Sequence, residues 1–201
     1  EPFIIKKENY SEIILPEKYV YYLEDKTNKL TIDSLLSHPE KFQFKRSNSP
    51  NLNFGFSQSS IWLRIEIQNQ TSLNKDYLFS IEYPLLNEVH FYTVTDEFHF
   101  MKNLSGENYP FKNRIINDRN YVFHLNNFPL ENKTYYIKVY NEGETVRIPM
   151  RIESPIKGNE TATDETFKMA IYYGYLLFSF LLNILLFFNF RKRLYLYFAL
   201  F

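Results

Sequence analysis

From Met169 to Phe190 the chain carries no charged residue, and Arg191-Lys192-Arg193 follows at once. At about 1.5 Å rise per residue a helix of this length reaches roughly 33 Å, enough to cross a hydrocarbon core of about 30 Å. Inside lipid every backbone N–H and C=O must be paired within the segment, so the stretch has to be helical. The competing reading is a buried helix of a water-soluble domain. Such helices are usually shorter and carry a polar stripe, and Ile171 to Phe188 shows none. Basic residues stay on the cytoplasmic side, which places Glu1 to Lys168 outside. The chain must therefore fold as an external head followed by a membrane segment.

Beyond the basic triplet runs Leu194-Tyr-Leu-Tyr-Phe-Ala-Leu-Phe201, apolar throughout. A second hydrophobic segment after so short a turn is the pattern of a tight helical hairpin in a multi-spanning protein. Ala170 and Gly174 form a small-xxx-small pair. Asn183 lies about 180° round the helix from Gly174, at 100° per residue. Helix neighbours on two sides fit a bundle better than a lone anchor.

The 23 basic and 23 acidic residues balance, which argues against a nucleic-acid partner. The absence of cysteine rules out disulfides and thiolate chemistry. Five N-x-S/T sequons occur, at Asn9, Asn69, Asn103, Asn132 and Asn159. In a chain this rich in Asn, Ser and Thr they arise by chance, and a bacterial protein does not normally use them.

The external part reads as β almost throughout. Aromatic residues make up 19% of the chain, and apolar positions alternate instead of recurring at helical spacing. In Ile61–Gln68 the residues Ile61, Leu63, Ile65 and Ile67 point one way, and Trp62, Arg64, Glu66 and Gln68 the other. Lys133–Tyr140 repeats this, with Tyr135, Ile137 and Val139 inward and Tyr136, Lys138 and Tyr140 outward. Val146, Ile148, Met150 and Ile152 form a third such face; Pro149 lacks a ladder donor, so this strand is expected at an edge or with a bulge. Further strands are expected at Tyr19–Leu23, Phe42–Phe44, Tyr77–Tyr83, Glu88–Val94, Phe98–Met101 and Tyr121–Leu125. Turn-forming residues cluster at Ser47–Asn53, Gln70–Lys75 and Asn103–Asn108, among others. One short helix, Ile32–Ser37, has Thr31 as its N-cap.

Eight or nine short strands with one apolar face each must pack two sheets together. The expected fold class is mainly β: a β-sandwich, followed by one transmembrane α-helix and the start of a second. The expected domains are a sandwich over 1–155, a patternless polar linker over 156–168, and the membrane segment over 169–201.

Several runs resemble a known family. Tyr21-Tyr-Leu-Glu-Asp25, Leu30-Thr-Ile, Phe54-Gly-Phe and Ile61-Trp-Leu-Arg64 are similar to the second type of extracellular domain in bacterial seven-transmembrane receptors with diverse intracellular signalling modules. Tyr109-Pro-Phe with Arg114, Tyr121-Val-Phe, Thr134-Tyr-Tyr-Ile-Lys-Val and Ile148-Pro-Met-Arg fit the same order. Tyr172-Tyr-Gly-Tyr, Asn183 and Arg191-Lys-Arg-Leu-Tyr resemble the opening of that family's seven-helix region. The resemblance implies a jelly-roll-like sensor head in the periplasm or outside the cell, on a multi-pass protein of the bacterial inner membrane. It implies a small-molecule ligand such as a carbohydrate, and a cytoplasmic kinase, cyclase or phosphatase output beyond this chain. A homodimer is compatible with it.

Catalytic motifs are absent: there is no G-x-S-x-G, H-E-x-x-H, P-loop or G-x-G-x-x-G. His38, His90, His99 and His124 show no ligand-like pairing and read as structural. No enzyme activity, metal or cofactor is expected. Sugars are held by aromatic faces and planar polar groups, and Trp62, Arg64, Tyr136, Lys138, Arg147 and Arg151 supply these on outward strand faces. For each there is a blander role: Trp62 packs under a loop and Arg64 pairs with Glu66. Arg114 and Arg119, in an irregular stretch, are secondary candidates because binding groups concentrate on loops. The alternatives to a sensor are an adhesive carbohydrate-binding module without signalling and, less supported, a tethered glycan-active enzyme.

Overall fold

The alternation at 61–68 is the spine of the head. In the computed structural model, which describes residues 2–5, 16–95 and 99–200, it lies within a ten-residue strand, Ser60–Asn69, here β5. Before it come β1 (Phe3–Ile5), β2 (Val20–Asp25), β3 (Lys45–Arg46) and β4 (Asn51–Phe56). After it come β6 (Lys75–Ile81), β7 (Glu88–Val94), β8 (Phe100–Ser105), β9 (Tyr121–Asn127), β10 (Asn132–Tyr140) and β11 (Thr145–Glu153). The helices are α1 (Pro16–Tyr19), α2 (Ile32–Ser37), α3 (Pro155–Phe190) and α4 (Arg193–Leu200).

The strands form two sheets. The larger has the order β3-β2-β5-β10-β7-β8, with β1 pairing parallel to the end of β5; the smaller has the order β4-β11-β6-β9. All other pairs are antiparallel. From β4 onward the chain crosses repeatedly between the sheets, so neighbours in a sheet are distant in sequence, as in a jelly roll.

The inner faces of both sheets meet in one apolar core. Ile61, Leu63, Ile65, Ile137, Val139, Phe79, Ile81, Val146 and Ile148 are all 0% exposed. Phe91 of β7 stacks on Phe123 of β9 at 4.5 Å and on Tyr135 of β10 at 5.7 Å, bridging the two sheets. Burying each such side chain stabilises the head by roughly 1.5–3 kcal/mol. Asn69, 1% exposed, ties two loops together at one end. Its Nδ2 donates toward the carbonyls of Leu73 (2.8 Å), Asn127 (3.1 Å) and Phe128 (3.0 Å). Its Oδ1 accepts from the N–H and the hydroxyl of Thr71.

Several expectations need correction. Phe42–Phe44 is not a strand: Pro39–Lys41 forms a 3₁₀ turn, both Phe side chains plug against the outer side of the larger sheet, and pairing starts only at Lys45. The turn expected at Ser47–Asn53 contains the start of β4. A bulge there, with Val146 opposite Gly55 and Arg147 opposite Asn53, leaves Phe54 as the extra residue and Gly55 at φ +64. An extra residue breaks the period-two signature. The strand expected at Phe98–Met101 runs instead from Phe100 to Ser105, and Phe98 lies outside the described residues.

β11 is an inner strand, flanked by β4 and β6, and its bulge falls at Val146/Arg147. Pro149 is tolerated because it sits where the pairing to β6 ends: its carbonyl accepts from Glu82 N–H at 2.9 Å, and no ladder donor is required in return. Finally, the polar linker expected over 156–168 is helical. α3 begins at Pro155, with Ser154 Oγ accepting from Lys157 N–H, and continues as helix to Phe190. Proline at the first helical position loses no bond, because that N–H has no intrahelical partner.

The chain divides into two compact units, Glu1–Gly158 and Asn159–Phe201. The second contains the rest of α3, the one candidate membrane span by length and composition among the described residues. Arg191, at φ +53, ends that helix, and α4 starts two residues later.

Candidate ligand-binding site

Sheet register decides which outward residues meet. Across the outer face of the larger sheet, Leu23, Trp62, Lys138, His90 and Leu104 form one cross-strand row. The next row is Tyr21, Arg64, Tyr136, Tyr92 and Lys102. Four of the eight residues assigned to binding from the sequence therefore lie side by side: Trp62 opposite Lys138, and Arg64 opposite Tyr136.

Most of this face is covered. α2, N-capped by the Thr31 hydroxyl accepting from Ser34 N–H at 3.2 Å, lays Ile32 and Leu35 on Trp62, Tyr92 and Tyr136. Phe42, Phe44, Leu30 and Phe100 close in around them. The chain leaving β2 is held in place by Asp25, whose carboxylate accepts from the Thr27 N–H and hydroxyl and from Leu30 N–H. Burial works to raise its pKa, but these hydrogen bonds, together with Lys138, prevail and hold it below the usual carboxylate value.

Trp62 is 0% exposed, so it offers no open indole platform to a sugar and instead takes the other role read from the sequence, packing beneath a covering segment. Its ring stacks on Tyr92 at 5.7 Å, and its Nε1–H has no acceptor among the described residues, an unusual state for a buried indole. Tyr136, 6% exposed, is also packed inside, and burial raises its pKa above the ordinary phenol value. Arg64 is half-buried: its Nε lies 3.2 Å from a Glu66 carboxylate oxygen without hydrogen-bond alignment, and its guanidinium sits over Tyr21 and Phe44.

Beside this covered patch a cleft of about 300 Å³ stays open. Trp62 and Tyr92 form its floor; Leu30, Thr31, Ile32 and Asp33 form one wall; Phe100, Lys102, His90 and Lys138 line the rest. Lys138 Nζ stands 5.6 Å over the Trp62 ring, and Lys102 Nζ 5.6 Å over Tyr92. His90 Nε2 lies 3.0 Å from the Tyr109 hydroxyl and 3.4 Å from a Glu88 carboxylate oxygen. Burial, reinforced by the charges of Lys102 and Lys138, brings the His90 pKa down to about 4. His90 is thus a neutral imidazole at neutral pH. Tyr92 is pushed up to about 12 by burial first, then by Tyr109, Asp33 and Glu88. The cleft combines aromatic surface with two ammonium groups, a neutral imidazole and one carboxylate. That set can hold a ring and orient its polar substituents.

The remaining sequence candidates lie elsewhere. Arg114 is a loop staple: its Nη1 donates to the carbonyls of Asp118, Arg119 and Asn120, and its guanidinium stacks on Phe111 and Tyr121. Arg119 is exposed on the same loop. Arg147 and Arg151 belong to the smaller sheet, Arg151 paired with Glu82 and Glu153. Sequence reading missed Asp33, His90, Tyr92, Phe100 and Lys102. The alternation within Glu88–Val94 puts His90 and Tyr92 on one face, but only sheet order shows that β7 lies next to β10. Among the described residues no cluster of His, Asp or Glu is placed to hold a metal ion.

Residues 17–154 match the family described as 7TMR-DISM extracellular 2, and the match ends where the sandwich gives way to α3. The chain belongs to that family. A 7TMR-DISM extracellular 2 domain joined to an apolar helix of membrane-crossing length makes this a membrane-anchored protein with an extracellular part. No curated protein matches the chain. Among solved structures it is similar to TmCBM61 in complex with beta-1,4-galactotriose, at 10% identity and a TM-score of 0.33, over 71% of this chain and 87% of that one.

Proposed function

We propose that the head is the ligand-sensing domain of a multi-pass receptor in a bacterial inner membrane, and that the cleft on its larger sheet receives a small saccharide. The observation that carries this is the convergence of Lys138, His90 and Lys102, from three adjacent strands, over the Trp62–Tyr92 floor. Neighbouring strands of a sandwich give a site rigid enough to hold fixed hydrogen-bond directions. The head binds its ligand without transforming it. Binding favours one arrangement of the membrane helices over another, a population shift read by an output module on the cytoplasmic side. The basic triplet Arg191-Lys192-Arg193 supports the orientation with the head outside.

The chain contains a single tryptophan, and it lies at the cleft floor, so binding has a built-in reporter. Saccharide entry should shift Trp62 emission saturably in the full chain in detergent, and Phe100→Ala should weaken that response. A response that is absent across a broad glycan panel, or unchanged by Phe100→Ala and Lys138→Ala, overturns the cleft as the site. For the orientation, a cysteine at Ser72 should react with an impermeant thiol reagent on intact spheroplasts, and one at Lys192 only after lysis. The reverse pattern overturns the sensor topology.

A further inference from the structure

Two ammonium groups share the cleft, and one of them, Lys138, helps to hold ionised the carboxylate of Asp25, which lies outside the cleft lining. Lys138 and Lys102 rest over two rings that stack on each other, so their charges converge on one small volume. Among the described residues neither is ion-paired. The group between them, His90, sits on β7 opposite Lys138 and is held neutral, so it neither repels an anion nor supplies a counter-charge. Asp33 is the only carboxylate lining the cleft among the described residues, so its lining carries a net positive charge. Lysines left unpaired against aromatic faces, in a cleft with low-dielectric walls, raise the local concentration of anions.

Resting on the saccharide reading above, we infer that the cleft selects an acidic saccharide, one whose sugar ring bears a carboxylate or a sulfate. The anionic group lies between Lys102 and Lys138, each of which donates to it. The ring lies against Phe100, and Asp33 accepts from a ring hydroxyl. Neutral sugars of the same shape leave both ammonium groups unanswered and lose affinity.

The test titrates the full chain in detergent, following Trp62 emission, with three sets of probes. These are oligogalacturonate and oligomannuronate, their carboxyl-reduced neutral counterparts, and sulfated galactan oligosaccharides. The expected result is at least tenfold tighter binding of one acidic set over the neutral set, weakening with added salt. Uronates and sulfated sugars in separate arms identify which anion is preferred. Lys102→Met and Lys138→Met should each weaken the acidic ligand about tenfold, Lys102→Arg should retain it, and circular dichroism should report an unchanged fold. Neutral sugars binding as tightly as acidic ones, with the lysine variants silent and Phe100→Ala disruptive, overturn the acidic preference and keep the saccharide cleft. No binding by any set, or binding indifferent to every cleft substitution, overturns both.

Discussion

The two faces of the larger sheet are built from the same strands and the same alternation, yet they do different work. The inner face presents Ile61, Leu63, Ile65, Ile137 and Val139 to the opposing sheet, all 0% exposed. The outer face presents Trp62, Arg64, Tyr136, Lys138, His90 and Tyr92, covered by a short helix and two phenylalanines except at one open corner. The difference teaches that pointing outward from a sheet is not the same as facing solvent. A segment of about twenty residues between β2 and β3 converts most of an outer face into a second small core. Only what it leaves uncovered is available for binding.

The sharpest way to break this comparison is to truncate adjacent residues on opposite faces. Leu63→Ala should cost about 2–5 kcal/mol, and Trp62→Ala about 3–5 kcal/mol, measured by denaturant unfolding. A Trp62→Ala cost below about 1 kcal/mol would mean that the covering segment contributes little and the indole is in effect a surface residue.

Acid sharpens the comparison next, because His90 is a titratable group on the outer face. Its folded pKa is about 4, below the ordinary histidine value, so between the two the unfolded chain holds a proton that the folded chain does not. Stability should therefore fall as the pH drops through that window, by at most about 3 kcal/mol, and His90→Gln should flatten the dependence. Unchanged stability between pH 7 and 5 in the parent chain would show that the cleft imposes no such burden.

Asp25 tests how the covering segment is fastened. Asp25→Ala removes the acceptor for three hydrogen bonds and should cost about 1–3 kcal/mol. Because its carboxyl is held below the ordinary value, its contribution is present above the usual carboxylate range and lost as the pH falls through its lowered value. The smallest effect belongs to the open corner: Lys102→Met should stay within roughly 0.5 kcal/mol of the parent. A larger loss would identify Lys102 as scaffold.

Much of this was legible in the sequence wherever alternation ran unbroken. β5, β7, β10 and β11 follow from their apolar faces, and the side-by-side placement of Trp62 and Arg64 follows from period two. β4 was hidden because its bulge at Phe54–Gly55 interrupts the period. Phe42 and Phe44 mimic a strand because plugging residues and strand residues share the same spacing. The polar start of α3 was hidden because its residues mostly face solvent, so no apolar stripe marks them. The cleft itself was half visible. β5 and β10 each declare their outer residues, but the contribution of β7 and β8 depends on a sheet order that jumps across the chain. Arg114 drew notice as a loop cation, whereas its guanidinium is spent on the carbonyls of its own loop.

One consequence of Asn69 bears on how the protein can be made. Asn69-Gln70-Thr71 is an acceptor tripeptide for N-linked glycans, and a eukaryotic secretory pathway would present it to the transferase before the head has folded. In the folded head the same side-chain nitrogen serves carbonyls from two loops, and the residue is 1% exposed. A sugar attached there would take one of its two N–H bonds and has no room in the closed loop junction. Modification at Asn69 and completion of this end of the sandwich are therefore mutually exclusive. Chains made in such a host should divide into a secreted, unmodified fraction and a retained, glycosylated one, whereas a bacterial host should yield a single species.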